Sequence, residues 1–150
     1  YLTFVARNIA YSFADIKNSS LLTEKLVKLH GNVNLDQYPY LDFSQPLTEL
    51  EVFMKSGKIS EPNARWIVEK ANEVAASKKI RCLSSEFYTS SDNNDFAVIV
   101  SVTTSDPDVL SDMDIEIACA LAENNDLSDK NVTAWFRSDE SKENYAELLK

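Results

Sequence analysis

The sequence contains very little glycine: Gly31 and Gly57 are the only two in 150 residues. Loops that bind nucleotide phosphates need several glycines, because a backbone without side chains can bring its N–H groups close to the anion. Glycine-rich nucleotide-binding motifs are therefore excluded.

Histidine and cysteine are also scarce, with one histidine and two cysteines. Cys82 and Cys119 are too few for a disulfide framework or a structural zinc site, and we expect two small buried thiols. His30 directly precedes Gly31, a pattern typical of a helix C-terminus. A Cys-His or Ser-His catalytic pair would depend on this single histidine. We therefore expect neither a cofactor nor a metal site.

Long apolar runs are missing as well. No apolar segment of about 18 residues occurs, so we expect no membrane span. The sequence shows no charged-then-apolar leader, and we assign the protein to the cytoplasm by default, although the start at Tyr1 leaves room for a removed upstream segment. The length and a hydrophobic fraction of 44% are typical of a globular protein. We treat residues 1–150 as a single α+β domain.

Residues 1–79 show helical periodicity, and four helices are predicted there. The first covers residues 3–16, with an apolar face formed by Phe4, Val5, Ile9, Phe13 and Ile16. The second is capped by Ser19 or Ser20, ends at Gly31 and should pair with the first. It has Leu22, Leu26 and Leu29 on one face. An aromatic loop, residues 32–46, leads to a short helix that ends at Gly57, and Ser60 caps a fourth helix that runs to about Ser77.

After Lys79 the period changes from helical to alternating, which predicts strands. Leu83, Ser85 and Phe87 share one face of the first strand, and residues 96–104 form a central strand. The polar segment 91–95 predicts a hairpin turn. Asp106 and Pro107 start a helix over 107–124 that covers the outer face of the sheet. A third strand over 132–137 precedes a final helix. The predicted fold is thus α+β, a helical N-terminal half packed with a C-terminal ββαβ unit of three strands.

Charge is distributed unevenly along the chain. Residues 82–129 contain no lysine or arginine and eleven acidic residues, within a net charge of −9 for the whole chain. A negative field on this half repels nucleic-acid phosphates and attracts basic surfaces or cations. A solvated face that only improves solubility would have the same composition.

Two acidic segments invite comparison with metal sites. Ser111, Asp112 and Asp114 superficially resemble the Ser-Asp-x-Asp motif of nucleotidyltransferases, but no glycine follows Gly57 and the surrounding apolar spacing is helical. On a helix Asp114 points about 200° away from Asp112, whereas Glu116 shares its face. Segment 124–129 lacks the glycine and terminal glutamate of a calcium loop and predicts a helix end followed by a turn.

These features favour a non-enzymatic acidic interaction module, an adaptor or inhibitor of a basic or nucleic-acid-binding partner. Direct binding to nucleic acid or membrane is not expected. The candidate protein-binding residues are four carboxylates of the helix over 107–124 and three loop aromatics: Asp108, Asp112, Glu116, Glu123, Tyr38, Tyr40 and Phe43. Two alternatives remain open: a regulatory or accessory domain excised from a larger protein, and a divalent-metal-dependent enzyme that uses an acidic cluster.

Overall fold

The computed structural model describes residues 2–31 and 44–139, in which five helices and three strands follow one another. Four helices come first: α1 (Leu2–Ser12), α2 (Ile16–His30), α3 (Gln45–Gly57) and α4 (Glu61–Ser77). The second half contains β1 (Cys82–Thr89), β2 (Phe96–Val102), α5 (Pro107–Glu123) and β3 (Val132–Ser138). This order confirms the predicted α+β fold with its helical half and ββαβ unit. The final helix predicted beyond Ser138 lies outside the described residues. None of the described helices is long and apolar enough to cross a membrane.

Two helices begin where their capping residues predict. The Ser60 hydroxyl accepts a hydrogen bond from the backbone N–H of Asn63 at 3.3 Å, and α4 follows. The Asp106 carboxylate accepts the N–H of Asp108 at 3.0 Å at the start of α5. In both cases the side chain satisfies a backbone donor that the helix itself leaves unpaired.

The predicted boundary between the first two helices is wrong. Helix α1 ends at Ser12, Ala14 adopts a left-handed conformation with φ 54°, and Asp15 caps α2 by accepting the N–H of Asn18 at 3.1 Å. Ser19 therefore lies inside α2 and is fully buried. The short turn reverses the chain, so that α1 and α2 pair as expected. An aspartate accepts this bond as well as a serine does, but Asp15 fell inside the predicted first helix.

The predicted buried face of α1 is also wrong. Phe4, Ile9 and Phe13 are exposed, whereas Arg7, Ala10 and Tyr11 are buried. The Tyr11 ring packs edge-on against Phe87 of β1, with the ring centroids 5.4 Å apart. The neighbours α2 and β1, rather than the hydrophobicity of the helix, decide which side of α1 faces inward. On α2, likewise, Leu26 is buried but Leu29 is exposed.

The three strands form one sheet in the order β1-β2-β3, which confirms that β2 is central. β1 pairs antiparallel with β2 through the predicted hairpin, and β3 pairs parallel with β2 after the α5 crossover. A register shift between Cys82 and Ser84 interrupts the alternation of β1. For this reason Leu83 is exposed instead of sharing the buried face with Ser85 and Phe87.

All of the helical packing on the sheet occurs on the face that carries Val98 and Val100 of β2. Phe53 of α3 contacts this face, with its ring centroid 5.3 Å from that of Phe87 and 6.1 Å from that of Phe96. Helix α5 covers β3 on the same face, next to α4, so the prediction that it covers the outer face is wrong. The opposite face, which includes Ile99, carries none of the described helices.

Gly57 ends α3 as predicted, although for a different reason. The left-handed residue at this helix end is Lys58, with φ 51°. A Cβ atom at Gly57 would lie 2.8 Å from Cδ1 of Ile59 and 3.2 Å from Cγ of Phe96. The glycine therefore leaves room for the side chains of Ile59 and Phe96, so packing rather than backbone conformation favours it here.

Candidate functional site

Helix α5 presents the four predicted carboxylates to solvent. Met113, Ile117 and Leu121 are buried and hold the helix on the core. The acidic residues occupy the opposite side at helical spacing, and all of them are exposed: Asp108, Asp112, Glu116 and Glu123. We call these four residues the acidic face. Because the helix is packed along its length, the acidic face is a rigid array rather than a mobile one.

Three features mark the acidic face. Glu116 forms an ion pair at 3.6 Å with Lys78, the residue that follows α4. The other three carboxylates form no ion pair with any described residue. Ile115 lies between Asp112 and Glu116 with 61% of its surface exposed. Three of the four carboxylates are thus without an ion-pair partner in the described chain, and an exposed isoleucine lies at the rim of the acidic face.

Asp114 is separated from the acidic face, as the helical spacing predicts. Its carboxylate accepts the backbone N–H of Phe136 at 2.7 Å and so occupies the outer edge of β3. Burial raises the pKa of Asp114, while this hydrogen bond opposes the rise. Within the described part of the chain, no three side chains of the metal-binding types come together to hold an ion.

Two other features singled out in the sequence analysis, His30 and segment 124–129, lie at helix ends. His30 is the last residue of α2 and Gly31 follows with φ 62°, as predicted for a helix end. Asn124 follows α5, and its side chain accepts the N–H of Asp126 at 3.0 Å, which makes this segment a turn. The aromatic residues Tyr38, Tyr40 and Phe43 lie outside the described residues.

The expectation of two buried thiols is wrong. Cys82 is half-buried, and burial raises the pKa of its thiol to about 11. Cys119 is exposed, because it belongs to the solvent side of α5. The core side of that helix is already filled by larger apolar side chains.

A second surface is a groove at the outer edge of β1. It lies between β1 and the helices α1 and α3, reaches Ile99 of β2, and has a volume of about 1100 Å³. Its apolar wall includes Val5, Ile9, Val52, Leu83 and Tyr88. We call it the edge groove. The first helix thus turns its predicted core face partly into this groove, which explains the exposure of its apolar residues.

Two of the polar side chains on the α1 wall of the edge groove are buried, Tyr11 and Arg7. The Tyr11 hydroxyl accepts the N–H of Phe87 at 3.4 Å, and burial raises the pKa of Tyr11 to about 12, so the group stays neutral at physiological pH. Arg7 is only 5% exposed, and its Nε is buried without a hydrogen-bond partner. Burial lowers the pKa of its guanidinium, whose carbon lies 5.3 Å from the centre of the Phe4 ring.

On the opposite face of the sheet, polar side chains from the three strands interact with one another. Arg137 of β3 donates from Nε to the Ser101 hydroxyl at 3.0 Å and forms an ion pair with Glu86 of β1 at 2.6 Å. These residues span all three strands. Arg137 therefore has a hydrogen-bond partner and an ion-pair partner, whereas the Nε of Arg7 has no hydrogen-bond partner in the described structure.

The sequence did not point to the edge groove. Arg7 lies in an apolar helical pattern that predicts the opposite orientation, and no local signal shows that β1 is an edge strand. Comparisons with protein-family models, curated proteins and solved structures gave no significant match to this chain.

Proposed function

We propose that the protein is a non-enzymatic interaction module that binds a basic partner protein through the acidic face of α5. The observation that carries this proposal is the acidic face itself: Asp108, Asp112 and Glu123 are exposed on one side of α5 and form no ion pair with any described residue. Ile115, three residues after Asp112 and 61% exposed, would add an apolar contact at the rim of this charged surface.

Charge supports the same partner chemistry. The segment 82–129 has no basic residue, and the acidic face belongs to it. Only Glu116 is paired among the four carboxylates in the described structure, through Lys78. The unpaired carboxylates retain their field, which would steer a basic partner toward α5. Such steering weakens as the Debye length falls from roughly 10 Å at 0.1 M salt to 3 Å at 1 M.

The experiment compares charge reversal on and away from the acidic face. Wild type, Asp112→Lys/Glu116→Lys and the control Glu24→Lys/Glu51→Lys are each immobilised and exposed to host lysate, and captured proteins are identified by mass spectrometry. Both double variants change net charge equally, and Glu24 and Glu51 are exposed on α2 and α3. We expect a basic protein that is captured by wild type and by the control but not by the α5 variant.

Association rates of that purified protein then test the mechanism. We expect the wild-type rate to fall at least tenfold between 0.1 and 1 M salt, and Ile115→Ala to speed dissociation without changing the salt dependence. Equal association rates for wild type and the α5 variant at both salt concentrations would show that the acidic face only solubilises the protein.

A further inference from the structure

The outer edge of β1 carries unpaired backbone groups. In an antiparallel ladder the N–H and C=O groups of successive residues point alternately toward and away from the neighbouring strand. The N–H of Phe87 donates to the Tyr11 hydroxyl and therefore points away from β2. By the same alternation Ser85 and Thr89 point their backbone groups into the edge groove, where no described residue forms a hydrogen bond with them.

The two edges of the sheet differ in this respect. On the β3 side, Asp114 occupies the N–H of Phe136 at 2.7 Å, and α5 packs alongside the strand. On the β1 side, the 3.4 Å contact from Phe87 to Tyr11 is the only side-chain bond to an outward N–H among the described residues. An unpaired edge is a template for another strand, and proteins usually block it. Here it opens into a groove instead.

Arg7 supplies an unpaired charge to the same groove. Only 5% of the Arg7 surface is exposed. Arg7 forms no ion pair within the described structure, and its Nε has no hydrogen-bond partner there. A buried guanidinium nitrogen without a hydrogen-bond partner is costly. Among the described residues that line the groove Arg7 is the one basic side chain; the carboxylates Glu49 and Glu86 also line it, and Glu86 is paired with Arg137. An anion that reaches Arg7 would supply the partner that its Nε lacks.

The walls of the groove are apolar and accessible. Ile9 is 56% exposed, Val52 40%, Leu83 44% and Tyr88 50%. Strand residues alternate between two sides, so an added strand would place every second side chain against such walls. A flat surface of the same composition would lack the hydrogen-bonding edge.

We propose that the edge groove binds an extended peptide segment of a partner protein, which pairs with the edge of β1 and places a carboxylate against Arg7. The carboxylate comes from an Asp or Glu side chain or from a chain end, and the residues beside it are alternately apolar. This partner chemistry goes beyond the proposed function and is opposite in charge to the partner of the acidic face. The two surfaces are also separate, because α5 packs on β3 while the groove borders β1.

The first test is selection of peptides from a random dodecapeptide library with free C-termini. We expect wild type to enrich sequences that combine alternating apolar residues with a carboxylate at one position. Thr89→Pro removes one outward N–H at the strand end, and Ile9→Lys charges the α1 wall; both should abolish enrichment. Leu29→Lys, at a site 71% exposed on α2, is the control and should enrich the same sequences. No enrichment over the two groove variants would overturn the proposal.

The second test places the peptide by amide hydrogen exchange. In the free protein the N–H groups of Glu86 and Tyr88, which point toward β2, should exchange slowly, and those of Ser85 and Thr89 should exchange fast. A saturating concentration of a selected peptide should slow hydrogen exchange at the Ser85 and Thr89 amides at least tenfold. Protection of both amides in the free monomer, or protection that appears only with dimerisation, would mean that the chain itself or a second copy occupies the edge, and the proposal would be wrong.

The third test concerns Arg7. Replacing the peptide carboxylate by an amide, separately at the side chain and at the C-terminus, should weaken binding at least tenfold for the source that Arg7 contacts. Arg7→Met should bind the acid and amide peptides equally, while Arg7→Lys should retain part of the difference. The melting temperature of Arg7→Met should match or exceed that of wild type, since an unpaired buried charge is removed. An undiminished preference for the acid in Arg7→Met would overturn the assignment.

Discussion

At the scale of single residues, Asp114 and Asp112 illustrate how burial changes a carboxylate within one helix. Asp112 is exposed, whereas Asp114 turns toward β3 and accepts the Phe136 N–H. Burial is the larger influence on Asp114 and raises its pKa above the ordinary value of 3.8. The folded protein therefore holds the proton of Asp114 more tightly than the unfolded chain does.

This shift predicts a pH dependence of stability. The stability that Asp114 contributes is fully present below pH 3.8 and is lost as pH rises through its folded pKa. Asp114→Asn keeps an oxygen acceptor for Phe136 and does not ionise. We expect the difference in melting temperature between Asp114→Asn and wild type to grow in favour of the variant across this window.

The matched control is Asp112→Asn, which removes the same charge from the exposed side of α5. The difference in melting temperature between Asp112→Asn and wild type measures how much the loss of one negative charge by itself stabilises the protein. A pH profile for Asp114→Asn no steeper than that of Asp112→Asn would contradict the role of burial.

At the scale of elements, Asp15 rather than Ser19 caps α2, although both side chains can cap a helix. Asp15 accepts the N–H of Asn18 at 3.1 Å, and its carboxylate also accepts the Asn18 side-chain amide at 2.7 Å. Ser19, which the sequence favoured as the cap, is fully buried in the helix with its hydroxyl unpaired in the described structure.

We therefore expect Asp15→Ala to lower the free energy of unfolding by about 1 kcal/mol. Ser19→Ala should be neutral or stabilising, because it removes an unsatisfied hydroxyl. Urea unfolding of the two variants measures both values. A larger loss for Ser19→Ala than for Asp15→Ala would place the helix start where the sequence first suggested.

At the scale of the whole molecule, Phe53 connects the helical half to the sheet. It is fully buried between Phe87 and Phe96, which belong to neighbouring strands. Phe53→Ala leaves a cavity at the junction and should lower the free energy of unfolding by about 3–5 kcal/mol. Val52→Ala, at the neighbouring position that is 40% exposed, should change it by about 0.5 kcal/mol or less. Denaturant unfolding compares the two, and similar losses would show that the helices do not pack on the sheet through Phe53.

The sequence by itself determined the types and order of the elements in the described residues. Local chemistry is sufficient for this: Ser60 and Asp106 start helices, the polar segment 91–95 turns a hairpin, and an apolar β-branched run becomes the central strand. It also determined that Asp112 and Glu116 share one face of α5, because a helix repeats every 3.6 residues.

Only the tertiary structure decided which faces are buried and what the surfaces offer. Helix α1 has apolar side chains on more than one side, so the side that packs depends on α2 and β1 rather than on its own sequence. Arg7 is buried and Ile9 is exposed for this reason. Likewise, an edge strand and a central strand are distinguished by their neighbours. The acidic face follows from local helical spacing, whereas the edge groove exists because α1, α3 and β1 meet, and such long-range contacts have no local pattern in the sequence.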